Sequence, residues 1–304
     1  VVITLKEQVK TRFDLLMESA EQYQNVLLPG YTHLQIAMPS SFGMWFSAYA
    51  ETLIDDITML NAALKVVNQN PLGSAAGYGS SFPINRTFTT QELGFATLKF
   101  NSVAAQMSRG KSEKTVAFAM SSVAATLAKF SMDVCLYMSQ NFDFISLPAH
   151  LTTGSSIMPH KKNPDVFELI RGKCNKIQAL PYEITLITNN LPSGYHREFQ
   201  LLKEGLFPAI QNLKACLDIA IFSIKDIKVK DNILADPKYN YLFTVDTLNE
   251  MVVAGMPFRD AYKAVAEQLE NGTYESPKAT QHTHEGSINN LCLKEIKEKM
   301  QNAF

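Results

Sequence analysis

The chain has 304 residues, with 28 Lys and Arg against 29 Asp and Glu, which gives a formal net charge of −1. This balance excludes the strongly basic surface on which binding to nucleic acid or an anionic membrane depends. Only 19% of the residues are charged and 46% are apolar. Because one monomer's core does not account for so much apolar surface, the composition predicts an oligomer.

Cysteines and apolar runs indicate the compartment. The four cysteines form no C-x-x-C pair, which favours buried, reduced thiols over a disulfide framework: Cys135, Cys174, Cys216 and Cys292. No unbroken apolar run approaches the roughly 20 residues that span a bilayer, and the first residues lack the layout of a signal peptide. The sequence therefore predicts a soluble protein in the cytoplasm.

Apolar residues recur at helical spacing from the beginning of the chain. The first set follows steps of four and three: Leu5, Val9, Phe13, Leu16, Ala20, Tyr23 and Leu27. The stripe is already running at residue 1, with no cap before it. We therefore expect the chain to be a truncated or proteolysed form of something longer.

Longer stripes follow. Ser40 or Ser41 is expected to cap a second helix over 42–67, and residues 116–134 alternate steps of four and three, as in helices that pack nearly parallel. Further helices are predicted at 164–189, 199–224, 241–253, 258–270 and 287–300, and strand patterns are absent. The predicted fold class is all-α: a long-helix bundle over 1–235 and a small helical domain over 236–304.

The loop over 152–165 carries the densest set of polar residues. Asn163 is predicted as the N-cap of a helix, Pro164 as its first residue, and Asp165 as a complement to its dipole. Lys161 and Lys162 precede the free N–H groups of that helix, which together suit a carboxylate or phosphate. The alternative interpretation is a capped helix with two solvated lysines.

Residues 154–164 (GSSIMPHKKNP) match the signature of the fumarase/aspartase superfamily, whose members eliminate fumarate from succinyl compounds. Other segments resemble the argininosuccinate lyases within it: 29–35 (PGYTHLQ), 71–77 (PLGSAAG), 82–86 (FPINR), 195–203 (YHREFQLLK) and 255–261 (GMPFRDA). The resemblance implies the long-helix fold of that superfamily. His160, His196 and Met38 depart from the usual argininosuccinate lyase residues, which weakens the substrate assignment slightly.

The resemblance also implies roles for individual residues. Ser155 matches the general base that removes a proton from the carbon next to the succinyl carboxylate, whereas an isolated serine in a turn would only bond to backbone. Lys161 and Asn163 match the residues that hold the carboxylate and stabilise the doubly charged intermediate. His33 matches a candidate general acid, and Glu168 matches the carboxylate that pairs with it. Asp165 lies on the same helix face as Glu168 and is expected to bind the substrate.

Further positions resemble substrate-binding residues: Thr32, Tyr195, Gln200 and Lys203. For each of these the alternative is an ordinary polar residue at the surface. His282 and His284 are two residues apart, but without a third ligand nearby we predict no metal site. The resemblance implies no cofactor.

The leading hypothesis is cofactor-free β-elimination of argininosuccinate to arginine and fumarate. In this family three conserved regions from three subunits meet at each site, so the resemblance implies a homotetramer. One alternative is another succinyl lyase, such as adenylosuccinate lyase. A second is a catalytically silent bundle protein like the delta crystallins. The family's Ser-Arg-Asn-Asp motif does not occur in these 304 residues, so the chain is expected to be inactive alone.

Overall fold

The structure, a computed structural model, describes residues 1–277 and 281–304. The described chain is mainly helical, as predicted. Its helices and strands are, in chain order, α1 (Val2–Gln22), β1 (Leu27–Thr32), β2 (Gln35–Ser41), α2 (Phe42–Val67), β3 (Gln69–Asn70), α3 (Arg86–Glu92), β4 (Thr97–Leu98), α4 (Ser102–Met107), α5 (Lys111–Tyr137), β5 (Ile145–Ser146), α6 (Asp165–Gln178), α7 (Leu180–Thr188), α8 (Leu202–Ile224), β6 (Lys228–Val229), α9 (Thr244–Val253), α10 (Phe258–Glu270) and α11 (Leu293–Ala303).

The three helices with the longest apolar stripes form where the sequence predicts them. In α1 the predicted positions from Leu5 to Ala20 are all buried, whereas Tyr23 and Leu27 lie beyond its end. Ser41 caps α2, and its hydroxyl accepts a hydrogen bond from the Met44 N–H at 3.1 Å. Burial of these stripes against one another supplies most of the stability of such helices.

The helices α1, α2, α5, α6 with α7, and α8 run alternately up and down and share one apolar core. The largest contacts join α1 with α2, α2 with α5, and α5 with α6. With 27 residues at 1.5 Å per residue, α5 is about 40 Å long. Its two ends therefore mark two well-separated ends of the bundle.

Several predicted helix bounds were wrong. The helix expected over 164–189 is two helices, because Pro181 has no N–H and the chain restarts at Leu180 after one non-helical residue. A 3₁₀ turn over Arg197–Gln200 precedes α8. A 3₁₀ segment likewise precedes α9, and the last helix begins at Leu293 rather than at 287.

The prediction that strands are absent was also wrong. The strands β1 and β2 form an antiparallel hairpin whose two-residue turn is His33-Leu34. Two further pairs are only two residues long: β3 runs parallel to β4, and β5 antiparallel to β6. The Tyr31 ring packs on Phe142 and Phe144, which follow the end of α5. The hairpin thus lies at the carboxyl end of α5.

The predicted division at residue 235 stays a prediction. A small apolar cluster of Leu248, Ala261 and Val265 is separate from the main core. The final helix α11, by contrast, packs along α1 and α2, with Lys299 Nζ 2.9 Å from Glu51 Oε1. The region after residue 235 therefore combines a separate cluster with a helix that belongs to the bundle core.

Two helical segments, Lys111–Tyr137 and Arg197–Ile224, are long and apolar enough to cross a membrane when judged by length and composition alone. Neither segment is an unbroken apolar run, because polar residues interrupt both. Of the most apolar stretches of these segments, 61% and 44% respectively are buried inside the bundle. Core helices of soluble proteins have the same composition, so these segments are weak indicators of a membrane.

Candidate active site

The signature loop, residues 152–164, lies at the carboxyl end of α5 and leads into α6. It borders a cavity of about 650 Å³ that also contacts the end of α5, through Cys135 and Met138, and the strand end at Lys230. Signature residues supply much of the lining: Met158, His160, Lys161, Lys162, Asn163, Pro164 and Glu168. Burial raises the pKa of the Cys135 thiol, which therefore stays neutral at neutral pH.

The two ends of the loop are joined. The Thr153 N–H donates to the Asn163 carbonyl at 3.3 Å, and the Asn163 N–H donates to the Thr153 carbonyl at 2.9 Å. The Thr153 hydroxyl donates to the Asp165 carboxylate and accepts from Asn163 Nδ2 at 3.4 Å. The segment between the two joined residues, 154–162, makes few contacts, and Ile157 is 83% exposed.

The helix start differs from the prediction by one residue. Asp165 is the first residue of α6, and Pro164 is its N-cap. Asn163 cannot cap the helix because its backbone is paired with Thr153. The Pro164 carbonyl instead accepts from the Phe167 and Glu168 N–H groups at 2.9 and 3.1 Å. Asp165 and Glu168 both lie in the first turn, as predicted, where negative charge complements the helix dipole.

Ser155 is half-buried, and two backbone donors surround its hydroxyl oxygen. The N–H groups of Ile157 and Met158 lie 3.3 and 3.1 Å from Ser155 Oγ. Donors in this arrangement stabilise negative charge on the oxygen that accepts from them. Ser155 itself is not among the residues that line the cavity in the described chain.

Thr32 and His33 lie at the tip of the β1–β2 hairpin, and both are exposed. His33 and Leu34 have φ angles of 53° and 58°, which form the tight turn that brings the tip outward. Next to the tip, Tyr31 Oη lies 3.3 Å from Tyr239 Oη. Within the described residues His33 makes no hydrogen bond or ion pair with Glu168, so the expected pairing does not form inside one chain.

The remaining predicted residues lie at the opposite end of the bundle. Gln200 Nε2 donates to Tyr195 Oη at 2.7 Å, and Lys203 is exposed in the first turn of α8. The carbonyl of Phe199, the residue before Gln200, accepts a hydrogen bond from Arg109 Nη2 at 3.2 Å. Arg109 lies two residues before the start of α5. These three residues are therefore separated from the signature loop by roughly the 40 Å length of α5.

No group of three or more His, Cys, Asp and Glu side chains that could hold a metal ion occurs in the described ranges. His282 Nε2 lies 2.5 Å from Asp246 Oδ1, and His284 Nδ1 lies 3.1 Å from the Glu285 carbonyl oxygen. The prediction of no metal stays a prediction.

Of the four thiols, Cys174 and Cys216 are buried, whereas Cys135 and Cys292 are partly exposed.

Comparisons with known proteins identify the family. Residues 2–179 match the protein family described as Lyase. The "Argininosuccinate lyase" of Parabacteroides distasonis is 58% identical over 300 residues, which cover 99% of this chain and 67% of that protein. The chain belongs to the argininosuccinate lyase family. It spans about two thirds of the length of the curated relatives it matches.

Solved structures show the fold that this argininosuccinate lyase family member shares. An EDDS lyase in complex with formate has a TM-score of 0.82 at 20% identity, and the match covers 99% of this chain and 67% of the EDDS lyase chain. The class II fumarase of Schistosoma mansoni has a TM-score of 0.73 at 18% identity, with 99% and 66% covered. These values confirm the predicted fold of the fumarase/aspartase superfamily.

Sequence reasoning gave no role to Thr153, although the structure makes it the residue that joins both ends of the signature loop. The sequence feature that could have indicated this role is its position directly before Gly154, where the signature begins. Arg86 likewise had no predicted role beyond its place in the segment 82–86. Its guanidinium donates to three carbonyls, of Leu72, Lys99 and Phe100, at 2.8 to 2.9 Å, and thereby ties the 71–86 loop to the start of α4.

Proposed function

We propose that the protein cleaves argininosuccinate to arginine and fumarate by a β-elimination that needs no cofactor. The observation that carries this proposal is the signature loop. Ser155, Lys161 and Asn163 are all present on it, next to an open cavity of about 650 Å³. Relatives that are 56–58% identical and are named argininosuccinate lyases support the substrate.

Ser155 is proposed as the general base. A serine hydroxyl is a weak base, so the alkoxide must be stabilised before it can take a proton from carbon. The two N–H groups that point at Ser155 Oγ, from Ile157 and Met158, support this role because they are already oriented. The alkoxide removes the proton next to the succinyl carboxylate, and the electron pair is delocalised into that carboxylate.

Lys161 and Asn163 are proposed to hold this carboxylate while it carries the extra negative charge. Both line the cavity on the arm of the loop opposite Ser155. Stabilisation of charge by fixed groups of this kind is usually the largest contribution to catalysis. When the carbon–nitrogen bond breaks, the electron pair forms the double bond of fumarate, and the departing guanidino nitrogen takes a proton from the general acid.

His33 is proposed as that acid, paired with Glu168 of another subunit, since the two do not meet within one chain. Thr32, Tyr195, Gln200 and Lys203 are proposed to bind the rest of the substrate, and so is Asp165, from the first turn of α6. Because these residues lie at two ends of the bundle, a complete site needs more than one subunit. We therefore propose a homotetramer with shared sites.

Exposed apolar side chains support association. Between β3 and α5 a series of large side chains is about half exposed or more: Leu72, Tyr78, Phe82, Ile84, Phe88, Leu93, Phe100 and Met107. Exposed large apolar side chains in such numbers are typical of interfaces. We also propose that the protein is cytoplasmic, in keeping with its reduced thiols.

Two alternatives remain open to the same test. Adenylosuccinate lyase activity is favoured by His160, which is the residue that those enzymes have at this position. A catalytically silent bundle protein is favoured by the exposure of five predicted site residues outside the signature loop: Thr32, His33, Tyr195, Gln200 and Lys203. Neither alternative predicts that fumarate is released from argininosuccinate.

The test is release of fumarate, followed by ultraviolet absorbance, from argininosuccinate and in parallel from adenylosuccinate. The chain is assayed alone and in a chimera in which the Parabacteroides distasonis relative supplies the third of its sequence that this chain does not match. We expect the chimera to cleave argininosuccinate only. Ser155→Ala should lower kcat about 10²- to 10⁴-fold, which is the usual contribution of a general base.

Ser156→Ala is the matched control, because Ser156 is the neighbouring serine of the same turn and is exposed. It should retain most of the activity. Cleavage of adenylosuccinate would favour the first alternative, and a chimera that folds but cleaves neither substrate would favour the second. Equal losses for the two serine variants would contradict the role of Ser155.

A further inference from the structure

The signature loop leaves and rejoins the fold at a single point. Thr153 and Asn163 are paired by two backbone hydrogen bonds and by their side chains, and Asp165 completes the group from the first turn of α6. We propose that Thr153 is a positioning residue for the elimination: its hydroxyl fixes the base of the signature loop and the orientation of the Asn163 amide. This inference rests on the proposed function and concerns the same site.

The chemistry of its partners fixes which hydrogen bond the Thr153 hydroxyl donates and which it accepts. A carboxylate accepts hydrogen bonds and donates none, so the single proton of the Thr153 hydroxyl is committed to Asp165. The lone pairs of Thr153 Oγ1 then accept from Asn163, which requires the Nδ2 side of that amide to face Thr153. The second N–H of Asn163 is thereby held in a fixed direction, from which it can donate to a substrate carboxylate.

The same group sets the register of the loop. In an antiparallel pair, residues equally far from the pairing point lie opposite each other. Thr153 is paired with Asn163, so Ser155 and Lys161 each stand two residues from the pairing point, on the two arms of the loop. A pairing shifted by one residue would put Lys162 at that position instead, since such a shift exchanges the sides on which side chains lie.

This arrangement fixes the two ends of the segment 154–162. The joined ends are held by the backbone pair and the hydroxyl, whereas Ile157 at the far side of the loop is 83% exposed. A loop with fixed ends can close over a substrate without losing the relative placement of the base and the cation. Loss of the Thr153 hydroxyl should therefore lower the rate of the chemical step more than it weakens substrate binding.

The experiment uses the active chimera with Thr153→Val and Thr153→Ser. Valine keeps the shape of threonine and removes the hydroxyl, whereas serine keeps the hydroxyl. We expect Thr153→Val to lower kcat about 10-fold or more with KM changed less than about 3-fold, because one charge-assisted and one neutral hydrogen bond are lost. Thr153→Ser should recover kcat to within about 3-fold of the unchanged protein.

The matched control is Thr152→Val. Thr152 is the preceding threonine, and its hydroxyl donates to the Ala149 carbonyl at 3.4 Å rather than to the loop base. This variant should leave kcat and KM within about 2-fold of the unchanged protein, since the bond it removes involves neither Asn163 nor Asp165. Equal kcat for Thr153→Val and Thr152→Val would overturn the proposal, and so would a serine variant as slow as the valine variant.

Hydrogen–deuterium exchange separates this inference from the proposed function. It is measured on the 304-residue chain and needs no activity. The Asn163 N–H, which is bonded to the Thr153 carbonyl, should exchange about 5- to 10-fold faster in Thr153→Val than in Thr152→Val. If argininosuccinate is not cleaved but this difference appears, the proposed function fails while the loop base stands. If exchange is unchanged, the positioning role fails.

Discussion

Arg12 is a charged side chain inside the apolar bundle. It is 1% exposed, its guanidinium carbon lies 4.5 Å from the centre of the Phe130 ring, and its Nη1 atom has no hydrogen-bond partner. In the described part of the chain no carboxylate forms an ion pair with it. Burial lowers the pKa of Arg12 to about 10. The charge is thus held at a cost in free energy.

The sign of that cost follows from the direction of the pKa change. Since the pKa of Arg12 is lower in the folded protein, the charged form is disfavoured by folding, by about 3 kcal/mol at any pH below about 10. The cost declines only as the pH rises above about 10. The attraction to the Phe130 ring offsets about 1–2 kcal/mol.

We therefore expect Arg12→Met to raise the free energy of unfolding by about 1–2 kcal/mol at neutral pH, because methionine fills a similar volume without a charge. The measurement is urea unfolding of the 304-residue chain at pH 7. Lys10→Met is the control, since Lys10 is on the same helix and pairs with Asp14 at the surface. A loss of stability in Arg12→Met beyond that of Lys10→Met would mean that the guanidinium stabilises the core.

At the scale of elements, the contact between α2 and α5 contains a buried acid. Asp56 on α2 is 1% exposed; its Oδ1 atom accepts from the Ser122 hydroxyl at 2.6 Å, and its Oδ2 atom has no partner. Burial raises the pKa of Asp56 above its ordinary value of 3.8. Folding therefore favours the protonated acid, so this group lowers stability progressively as the pH rises above about 3.8.

Asp56→Asn should remove this pH dependence, because asparagine keeps the oxygen that accepts from Ser122 and does not ionise. The difference in unfolding free energy between the variant and the unchanged chain is expected to be small at pH 4. It should then grow in favour of the variant and level off above the folded pKa. Asp55→Asn, at the exposed neighbouring position, is the control. A difference that stays constant from pH 4 to pH 8 would contradict the argument.

The sequence predicts an element well when the residues that stabilise it follow a regular spacing within that element. The spacing of apolar residues in α1, α2 and α5 records a continuous buried face, so those helices could be predicted closely. The β1–β2 hairpin could not, because its turn is His33-Leu34 rather than the usual Asn-Gly, and prolines stand in both strands. Pairing with a neighbouring strand, not local preference, holds these residues in place.

The site shows the same limit at the scale of the whole molecule. Ser155, Lys161, Asn163 and Glu168 are close in the chain, and the structure places them in one loop and one helix turn. The separation of this loop from Tyr195, Gln200 and Lys203 depends on α5, which puts its length of about 40 Å between them. No spacing in the sequence records that distance, because it arises only when the helices pack.

That separation leads to a prediction about mixed oligomers. If each site takes Ser155 from one subunit and Lys203 from another, then inactive Ser155→Ala and Lys203→Met chains should complement each other when they are refolded together. In a random equal mixture, half of the signature loops and half of the Lys203 positions are unchanged, so about a quarter of the sites should have both. We expect about a quarter of the unmixed activity in the chimera, measured as fumarate release.

A mixture of Ser155→Ala with Lys161→Met is the matched control. Both residues lie on the same loop of the same chain, so every loop in that mixture carries one change and activity should stay at the level of the separate variants. If the first mixture regains no activity although mixed oligomers form, each site must draw both residues from one chain. That outcome would require the two ends of the bundle to meet within a single subunit, against the 27-residue length of α5.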